Sequence, residues 1–98
     1  MARTVKRSTE KTDPHARDVV ELGKLVRNRR TDSDLGIVDA ADQLGISKSA
    51  LSRLENGQSV NLDTAFKVLN GLGLNMLVVT KGEAAKVARL LNLPQDAC

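Results

Sequence analysis

Four polar side chains with helical spacing are the residues of this sequence best suited to recognising another molecule. They are Lys48, Ser49, Ser52 and Arg53; all four carry hydrogen-bond donors, and two are cationic. On a helix that lies in the major groove of DNA, such groups match the base edges, and Lys and Arg suit guanine in particular. The alternative interpretation is the solvated face of an ordinary helix, which these four residues alone would favour.

The segment that must position these side chains is residues 35–57, in which two short apolar patterns flank Gly45. The i, i+3, i+4, i+7 rule places the first set on one helix face: Ile37, Ala40, Ala41 and Leu44. Leu51 and Leu54 mark the inner face of a second helix. Gly45 can adopt a left-handed conformation after a helix end, and Ser47 can cap the next helix. Two helices joined this tightly must cross steeply, so the pattern predicts a helix-turn-helix and favours the base-contacting interpretation.

This segment resembles the helix-turn-helix of the Cro/phage-repressor (XRE-type) family. The residues that carry the resemblance extend into the flanking helices: Leu22, Gly23, Arg27, Arg30, Leu35, Ala41, Gly45, Ile46, Ser47, Leu51, Leu54, Glu55, Gly57, Leu62, Asp63, Thr64, Leu69, Leu72, Gly73 and Leu74. The resemblance implies that the partner is double-stranded DNA. It also implies that the helix carrying Lys48, Ser49, Ser52 and Arg53 is the recognition helix.

The same resemblance implies further contacts. One is a salt bridge from Arg30 to Glu55, which would join the first helix to the recognition helix; the alternative is that Glu55 is a surface carboxylate beside a turn. The DNA backbone is expected to lie against Ser47, Asn56, Gly57 and Gln58. The sequence departs from the family at Gly36-Ile37, where Ser or Thr followed by Gln is usual. Gly caps less well than Ser, and the phosphate that the Gln would meet has no side-chain partner unless helix amides replace it.

Length and composition restrict the class of protein. With 98 residues and 41% hydrophobic content, the chain is one small domain with a thin core. Phe66 is the single aromatic residue, so no platform exists for stacking the bases of single strands or RNA loops. The single cysteine, Cys98, excludes an internal disulfide and a zinc site. Without a signal peptide, a membrane-length apolar run or a catalytic constellation, we expect a cytoplasmic protein that is not an enzyme and has no membrane partner, cofactor or metal.

The net charge of +3 is concentrated at one end of the chain. Residues 1–12 contain four basic and one acidic side chain, which sum to +3, whereas residues 13–98 contain eleven of each and sum to zero. We predict that residues 1–12 form a flexible basic tail. Its Arg3, Lys6 and Arg7 are expected to lie along phosphates or in a minor groove. The alternative is a disordered end that only improves solubility.

Two more helices are expected to complete a DNA-binding domain over residues 13–73. Asp13 and Pro14 have the chemistry of a helix start, which predicts a first helix from about 14 to 31. Its inner stripe is Val19, Leu22, Leu25 and Val26. Asn61 is the predicted cap of a fourth helix. Its inner stripe is Leu62, Ala65, Phe66, Leu69 and Leu72.

Residues 74–98 are predicted to mediate dimerisation. Residues 74–80 are apolar and β-branched, which predicts a strand. A lone strand is not stable, so we expect it to pair with the same strand of a second copy, both of its faces being covered. The interface residues would be Leu74, Met76, Leu77, Val78 and Val79. A short helix, about 83–92, should follow, with Val87, Leu90 and Leu91 inward. The expected fold class is mostly α: a four- to five-helix Cro/repressor-like helix-turn-helix domain with one C-terminal β-strand pairing across a dimer.

Within the family, the strand-then-helix ending is similar to that of HipB-type antitoxins. That resemblance implies a homodimeric repressor that binds an inverted-repeat operator, autoregulates its operon and holds a HipA-like kinase toxin. Two alternatives remain. One is a free-standing repressor or restriction controller, and the other is an adaptor that uses the domain only for protein contacts. The neutral body and the Gly36-Ile37 departure favour the adaptor, whereas Lys48 and Arg53 disfavour it.

Overall fold

The structure is a computed structural model, and it describes residues 14–91. Five helices follow one another in this part of the chain: α1 Val19–Asp32, α2 Ile37–Leu44, α3 Lys48–Glu55, α4 Leu62–Gly71 and α5 Lys81–Leu91. The predicted mostly helical fold is therefore confirmed. The proposed basic tail with Arg3, Lys6 and Arg7 lies outside the described residues, as do Asp13 and Cys98. None of the described helices is both long and apolar enough to span a membrane.

The first helix begins later than the sequence pattern predicted. α1 starts at Val19 because Asp18 is its N-cap, and the Asp18 carboxylate accepts the amide N–H of Glu21 at 2.9 Å. The Glu21 carboxylate in turn accepts the backbone N–H of Arg17 at 2.6 Å. The Asp18 cap places the start of α1 at Val19, so the predicted start at Pro14 is wrong. The Asp-x-x-Glu spacing is a stronger start signal than Asp13-Pro14.

The core is small and entirely aliphatic. α1 packs against α3, and α2 packs against both α3 and α4. The fully buried centre consists of Val26, Ala40, Ala41, Leu51, Leu54 and Val68, each at most 1% exposed. Small side chains on α2 allow the helices to approach closely. The predicted inward residues Leu22 and Leu44 are partly buried and pack against this core.

The fourth helix has its predicted cap but a different buried face. The Asn61 side chain accepts the Thr64 amide N–H at 2.8 Å, which confirms the cap. The buried residues are Ala65, Val68 and Leu69, followed by Leu72. Leu62 is 68% exposed and Phe66 41% exposed, so the predicted stripe was wrong along one edge. The set 65, 68, 69, 72 also satisfies helical spacing, and Val68 takes the place given to Phe66 because α4 turns this face toward α2 and α3.

Residues 74–80 do not form the predicted strand. Within the described part of the chain no strand is present, and this segment has irregular backbone. Leu74 packs against the core, but Met76, Leu77, Val78 and Val79 are 44%, 67%, 91% and 42% exposed. The prediction that both faces are covered is thus wrong for the single chain. The physical reason is that one isolated segment has no neighbour with which to form a ladder.

The last helix also begins and packs differently from the prediction. α5 begins at Lys81 because Thr80 and Glu83 cap it reciprocally: the Thr80 hydroxyl accepts the Glu83 amide at 3.1 Å, and the Glu83 carboxylate accepts the Thr80 amide at 3.0 Å. No residue of α5 is buried, and Leu90 and Leu91 are 71% and 57% exposed. Their predicted inward orientation is therefore wrong in the single chain. Residues 76–91 instead present uncovered apolar side chains.

Candidate nucleic-acid interface

The turn between α2 and α3 has the geometry that the sequence predicted. Gly45 ends α2 with φ +74°, a left-handed conformation that glycine adopts without a steric penalty. The Ile46 amide then donates to the Ala41 carbonyl at 3.1 Å, which satisfies a helix-end acceptor. The Ser47 side chain accepts the Ala50 amide at 3.0 Å and caps α3. The turn is thus fixed by local hydrogen bonds, and it holds α3 against α2 in a helix-turn-helix.

Helix α3 has one buried and one open face. Leu51, Leu54 and Glu55 form its buried face. On the other face Lys48, Ser49 and Arg53 are exposed, and Ser52 is half-buried. The four residues predicted to read bases therefore lie on one accessible surface of α3. The predicted backbone-contacting residues border it: Ser47, Asn56 and Gln58 are exposed, and Gly57 is half-buried.

Arg53 is tethered to the loop that follows its own helix. Its Nη2 donates to the Ser59 carbonyl at 3.0 Å. This bond uses one of the five guanidinium donors, so the remainder stay available to a ligand. Arg53 also borders an open groove of about 480 Å³ between α3 and the start of α4, which is lined by Ser47, Ser49, Ala50, Arg53, Ser59, Val60, Asn61 and Thr64. Sequence reasoning did not identify Ser59 or Thr64 as part of this surface, because their loop and helix contribute no cationic side chain to it.

A buried ion pair connects α1 to the recognition helix. Arg30 donates to both carboxylate oxygens of Glu55, through Nε at 2.6 Å and Nη2 at 2.8 Å. The Glu55 side chain is 1% exposed and that of Arg30 11% exposed. Arg30 also donates through Nη1 to the Leu35 carbonyl at 2.7 Å. One guanidinium therefore joins α1, the α1–α2 connection and the end of α3, as two-pronged arginine geometry permits.

A second arginine approaches the same carboxylate. Arg27 Nε lies 3.5 Å from Glu55 Oε1, and the Arg27 side chain is 55% exposed. Two guanidinium groups and one carboxylate leave a net positive charge at this junction. The sequence placed Arg27 within the family pattern but gave no sign that it shares Glu55. No cluster of three His, Cys, Asp or Glu side chains that could hold a metal ion occurs between residues 14 and 91.

The N-terminus of α2 shows the effect of the Gly36-Ile37 departure. Gly36 is the N-cap residue and provides no side-chain hydrogen bond to the first turn. Ile37 is partly buried against the core. No polar side chain is therefore available at the first position of α2, and only backbone amides of the first turn could meet a phosphate there.

The tight turn, the capped α3 and the open polar face of α3 together define a helix-turn-helix DNA-binding domain. The sequence bears this out independently, because residues 26–79 match the helix-turn-helix family HTH_3. That match covers more than half of the chain, and the protein therefore belongs to this family. No curated protein shows significant similarity to the chain.

Solved structures with a similar fold include several complexes of HipB. A HipA–HipB–O2–O3 complex contains a chain that is 24% identical to this one, with a TM-score of 0.63 over 68% of this chain and 96% of the other. A HipB variant in complex with an O2 20mer gives 22% identity and a TM-score of 0.65 over 71% of this chain and 99% of the other. A HipB–O4 20mer complex gives 24% identity and a TM-score of 0.63 over 68% of this chain and 96% of the other. At these identities the likeness is one of fold.

Proposed function

We propose that this protein is a homodimeric, sequence-specific repressor that binds double-stranded DNA and is the antitoxin of a HipBA-like toxin–antitoxin pair. In this proposal residues 13–73 bind DNA and residues 74–98 join two copies. Lys48, Ser49, Ser52 and Arg53 read base edges in the major groove, while Ser47, Asn56, Gly57 and Gln58 contact the DNA backbone. The basic residues Arg3, Lys6 and Arg7 add contacts to phosphates.

The open face of α3 is the observation that carries DNA recognition. Its donors project from a helix whose other face is fixed in the core and whose start is fixed by Ser47. A recognition helix must be held rigidly, because base discrimination depends on bidentate geometry at a few positions. The Arg30–Glu55 pair holds the far end of the same helix. Both ends of α3 are therefore fixed, and its polar face is free for the major groove.

The uncovered apolar side chains of residues 76–91 support the homodimer. Leu77 and Val78 are the most exposed apolar residues of the segment 74–80, and α5 adds Leu90 and Leu91. Pairing this segment as a strand with the same segment of a second copy would satisfy the backbone of both. Packing of α5 over the resulting two-stranded sheet would then cover the apolar side chains of both elements. A two-fold dimer reads two half-sites about 34–36 Å apart, so the expected operator is an inverted repeat.

The antitoxin role rests on the similarity to HipB. The structures of that protein include a complex with HipA, and the fold likeness extends over nearly the whole of HipB's chain. A HipA-like kinase is accordingly the partner that we propose for this protein in addition to DNA. Co-purification with the product of a neighbouring kinase-like reading frame is the expected result. If co-expression yields no complex, the protein is a free-standing repressor.

A substitution at Val78 tests the repressor dimer. Because Val78 is 91% exposed in the single chain, Val78→Asp should leave the monomer fold unchanged but place a charge in the proposed interface. Val78→Thr is the matched control, since it keeps the β-branched shape. Light scattering should show a dimer for the wild type and for Val78→Thr, and a monomer for Val78→Asp. Binding to an inverted-repeat duplex, selected by the wild type from a random pool, should weaken far more for Val78→Asp than binding to random duplex.

Two outcomes would overturn parts of this proposal. A dimeric Val78→Asp variant would remove residues 74–80 from the interface. A wild-type protein that selects no sequence from the pool and binds no random duplex at low salt would be an adaptor for protein contacts. The neutral charge of residues 13–98 favours this second candidate, because nonspecific DNA affinity depends on cationic side chains.

A further inference from the structure

The chain leaves the helix-turn-helix domain at residues 72–74, directly after α4, and this segment is called the exit below. Arg29 of α1 forms a hydrogen bond with its backbone. Arg29 Nε donates to the Leu72 carbonyl at 2.8 Å, across a sequence separation of 43 residues. Leu72 is the C-cap residue of α4, so this carbonyl is one of the acceptors that the helix itself leaves unpaired. Arg29 as a whole is solvent-exposed. Its hydrogen bond therefore acts on the backbone at the exit rather than by filling the core.

The backbone at the exit is fixed up to Leu74 and not beyond it. Gly73 has φ +76°, and its amide donates to the Asn70 carbonyl at 3.2 Å. The Leu74 amide donates to the Leu69 carbonyl at 2.8 Å. Every residue from 75 to 80 is exposed. The direction in which the segment departs is consequently set at residues 72–74, where Leu72 and Leu74 pack against the core and Arg29 of α1 donates a hydrogen bond to the backbone.

A small change in this direction would have a large effect at the recognition helix. If residues 74–80 join two copies, the backbone of the exit sets the orientation of each helix-turn-helix domain relative to the dimer interface. Across a domain of roughly 20 Å, a rotation of about 10° moves the far side by about 3.5 Å. The rise of one base pair is about 3.4 Å. One added base pair also turns the duplex by about 35°, and in a two-fold dimer each half follows about half of that, roughly 17°. Each domain must therefore rotate by roughly 17° to fit half-sites that are one base pair farther apart, and a firmly held backbone at residues 72–74 opposes that rotation.

We propose that Arg29 is a positioning residue that sets which spacer length between half-sites the dimer accepts. The inference rests on the repressor dimer proposed above. Arg29 touches no base in this arrangement. It fixes the exit of the dimerisation segment relative to α1, and α1 is joined to the recognition helix through the Arg30–Glu55 pair. Arg29 and Arg30, which are adjacent on α1, thus connect the dimerisation segment to the recognition helix.

Two substitutions separate the hydrogen bond from the charge. In Arg29→Gln the side-chain amide nitrogen lies the same number of bonds from Cα as Arg Nε, so the donor is kept and the charge is removed. In Arg29→Met a methyl group occupies that place, so both are removed. Lys24→Met, at an exposed position of α1, is the control for removal of one positive charge. All variants are made in the full-length chain.

The probes are the inverted-repeat duplex selected by the wild type, derivatives with one or two base pairs inserted or deleted at its centre, and a single half-site duplex. We expect the wild type, Arg29→Gln and Lys24→Met to lose at least about tenfold in affinity when one base pair is added or removed. Arg29→Met should lose less than about threefold. Its affinity for the half-site duplex and its dimeric state should match those of the wild type, which a general loss of stability would not produce.

An Arg29→Met variant with the spacer dependence of the wild type would overturn the inference, as would an Arg29→Gln variant that behaves like Arg29→Met. If Arg29→Met does not fold, Arg29→Ala replaces it, since Ala also removes the donor and has the highest helix propensity; a wild-type spacer profile in that variant would likewise overturn the inference. A wild-type protein that is monomeric, or that selects no inverted repeat, contradicts the proposed function instead.

Discussion

Gly23 marks the closest approach of α1 to the recognition helix, and its substitution by alanine tests how tightly that contact is built. A Cβ atom at this position would collide with the Leu54 backbone carbonyl oxygen and lie 3.0 Å from that of Glu55. Neither oxygen can rotate away, because both belong to the backbone of α3. The Ala side chain can therefore be accommodated only if α1 and α3 move apart.

The size of the effect follows from two opposing terms. Replacing Gly by Ala within a helix gains about 1 kcal/mol in helix propensity. Overpacking a close contact costs about 1–3 kcal/mol, and the upper part of that range applies where backbone atoms obstruct. Separating α1 from α3 also lengthens the buried Arg30–Glu55 hydrogen bonds, which adds to the cost. We expect a net loss of about 2 kcal/mol, which lowers Tm by roughly 8–16 °C for a domain of this size.

Gly82→Ala is the matched control for Gly23→Ala. Gly82 also lies within a helix, α5, but nothing is found within 4 Å of a Cβ built there. Thermal unfolding followed by far-UV circular dichroism should show Gly82→Ala melting no lower than the wild type and Gly23→Ala melting well below it. If Gly23→Ala melted at or above the wild-type temperature, the helices would have room for a side chain and the close contact would not hold α3 in place.

Three further predictions concern the ion pair, the base contact and the tail. Glu55→Ala leaves Arg30 buried without its carboxylate and should cost about 3–5 kcal/mol in denaturant unfolding, whereas Asp42→Ala, which removes an exposed carboxylate of α2, should cost about 1 kcal/mol or less; equal losses would show that burial adds nothing. Arg53→Ala should cost about 1–3 kcal/mol on the selected operator and relax preference at one base position, while an equal loss on random duplex would reassign Arg53 to the DNA backbone. Deleting residues 1–12 should flatten the salt dependence of binding by about 0.9 for each phosphate that the tail neutralises, at a constant operator-to-random ratio; an unchanged slope would remove the tail from the interface.

Local chemistry explains which parts of the fold the sequence predicted. The turn at Gly45 and the caps at Ser47 and Asn61 depend only on residues a few positions away, and all three are present. The start of α1 was misplaced because two start signals compete within a short stretch of sequence. The Asp18 and Glu21 carboxylates accept the amides of Glu21 and Arg17, whereas Pro14 satisfies no amide, so these two residues determine the boundary.

Features that depend on a second element were less accessible to sequence reasoning. Phe66 and Val68 fit helical patterns equally well, and only the position of α2 and α3 decides which of them is buried. The hydrogen bond from Arg29 to Leu72 joins residues far apart in sequence and involves a backbone carbonyl, which leaves no pattern of residue types. The segment 74–80 has the composition of a strand, but a strand needs a neighbour, which the single chain does not provide.

The aliphatic core has an optical consequence. The chain contains no Trp and no Tyr, and its one aromatic residue, Phe66, lies half in solvent on α4. The protein is consequently almost silent in near-ultraviolet absorption and in intrinsic fluorescence. Fluorescence from a labelled duplex, or from a single tryptophan introduced at a chosen position, would therefore be measured with almost no background signal from the protein. Because the buried centre is made only of Val, Ala and Leu, such a reporter could be moved over the surface of the domain without competing signal from within.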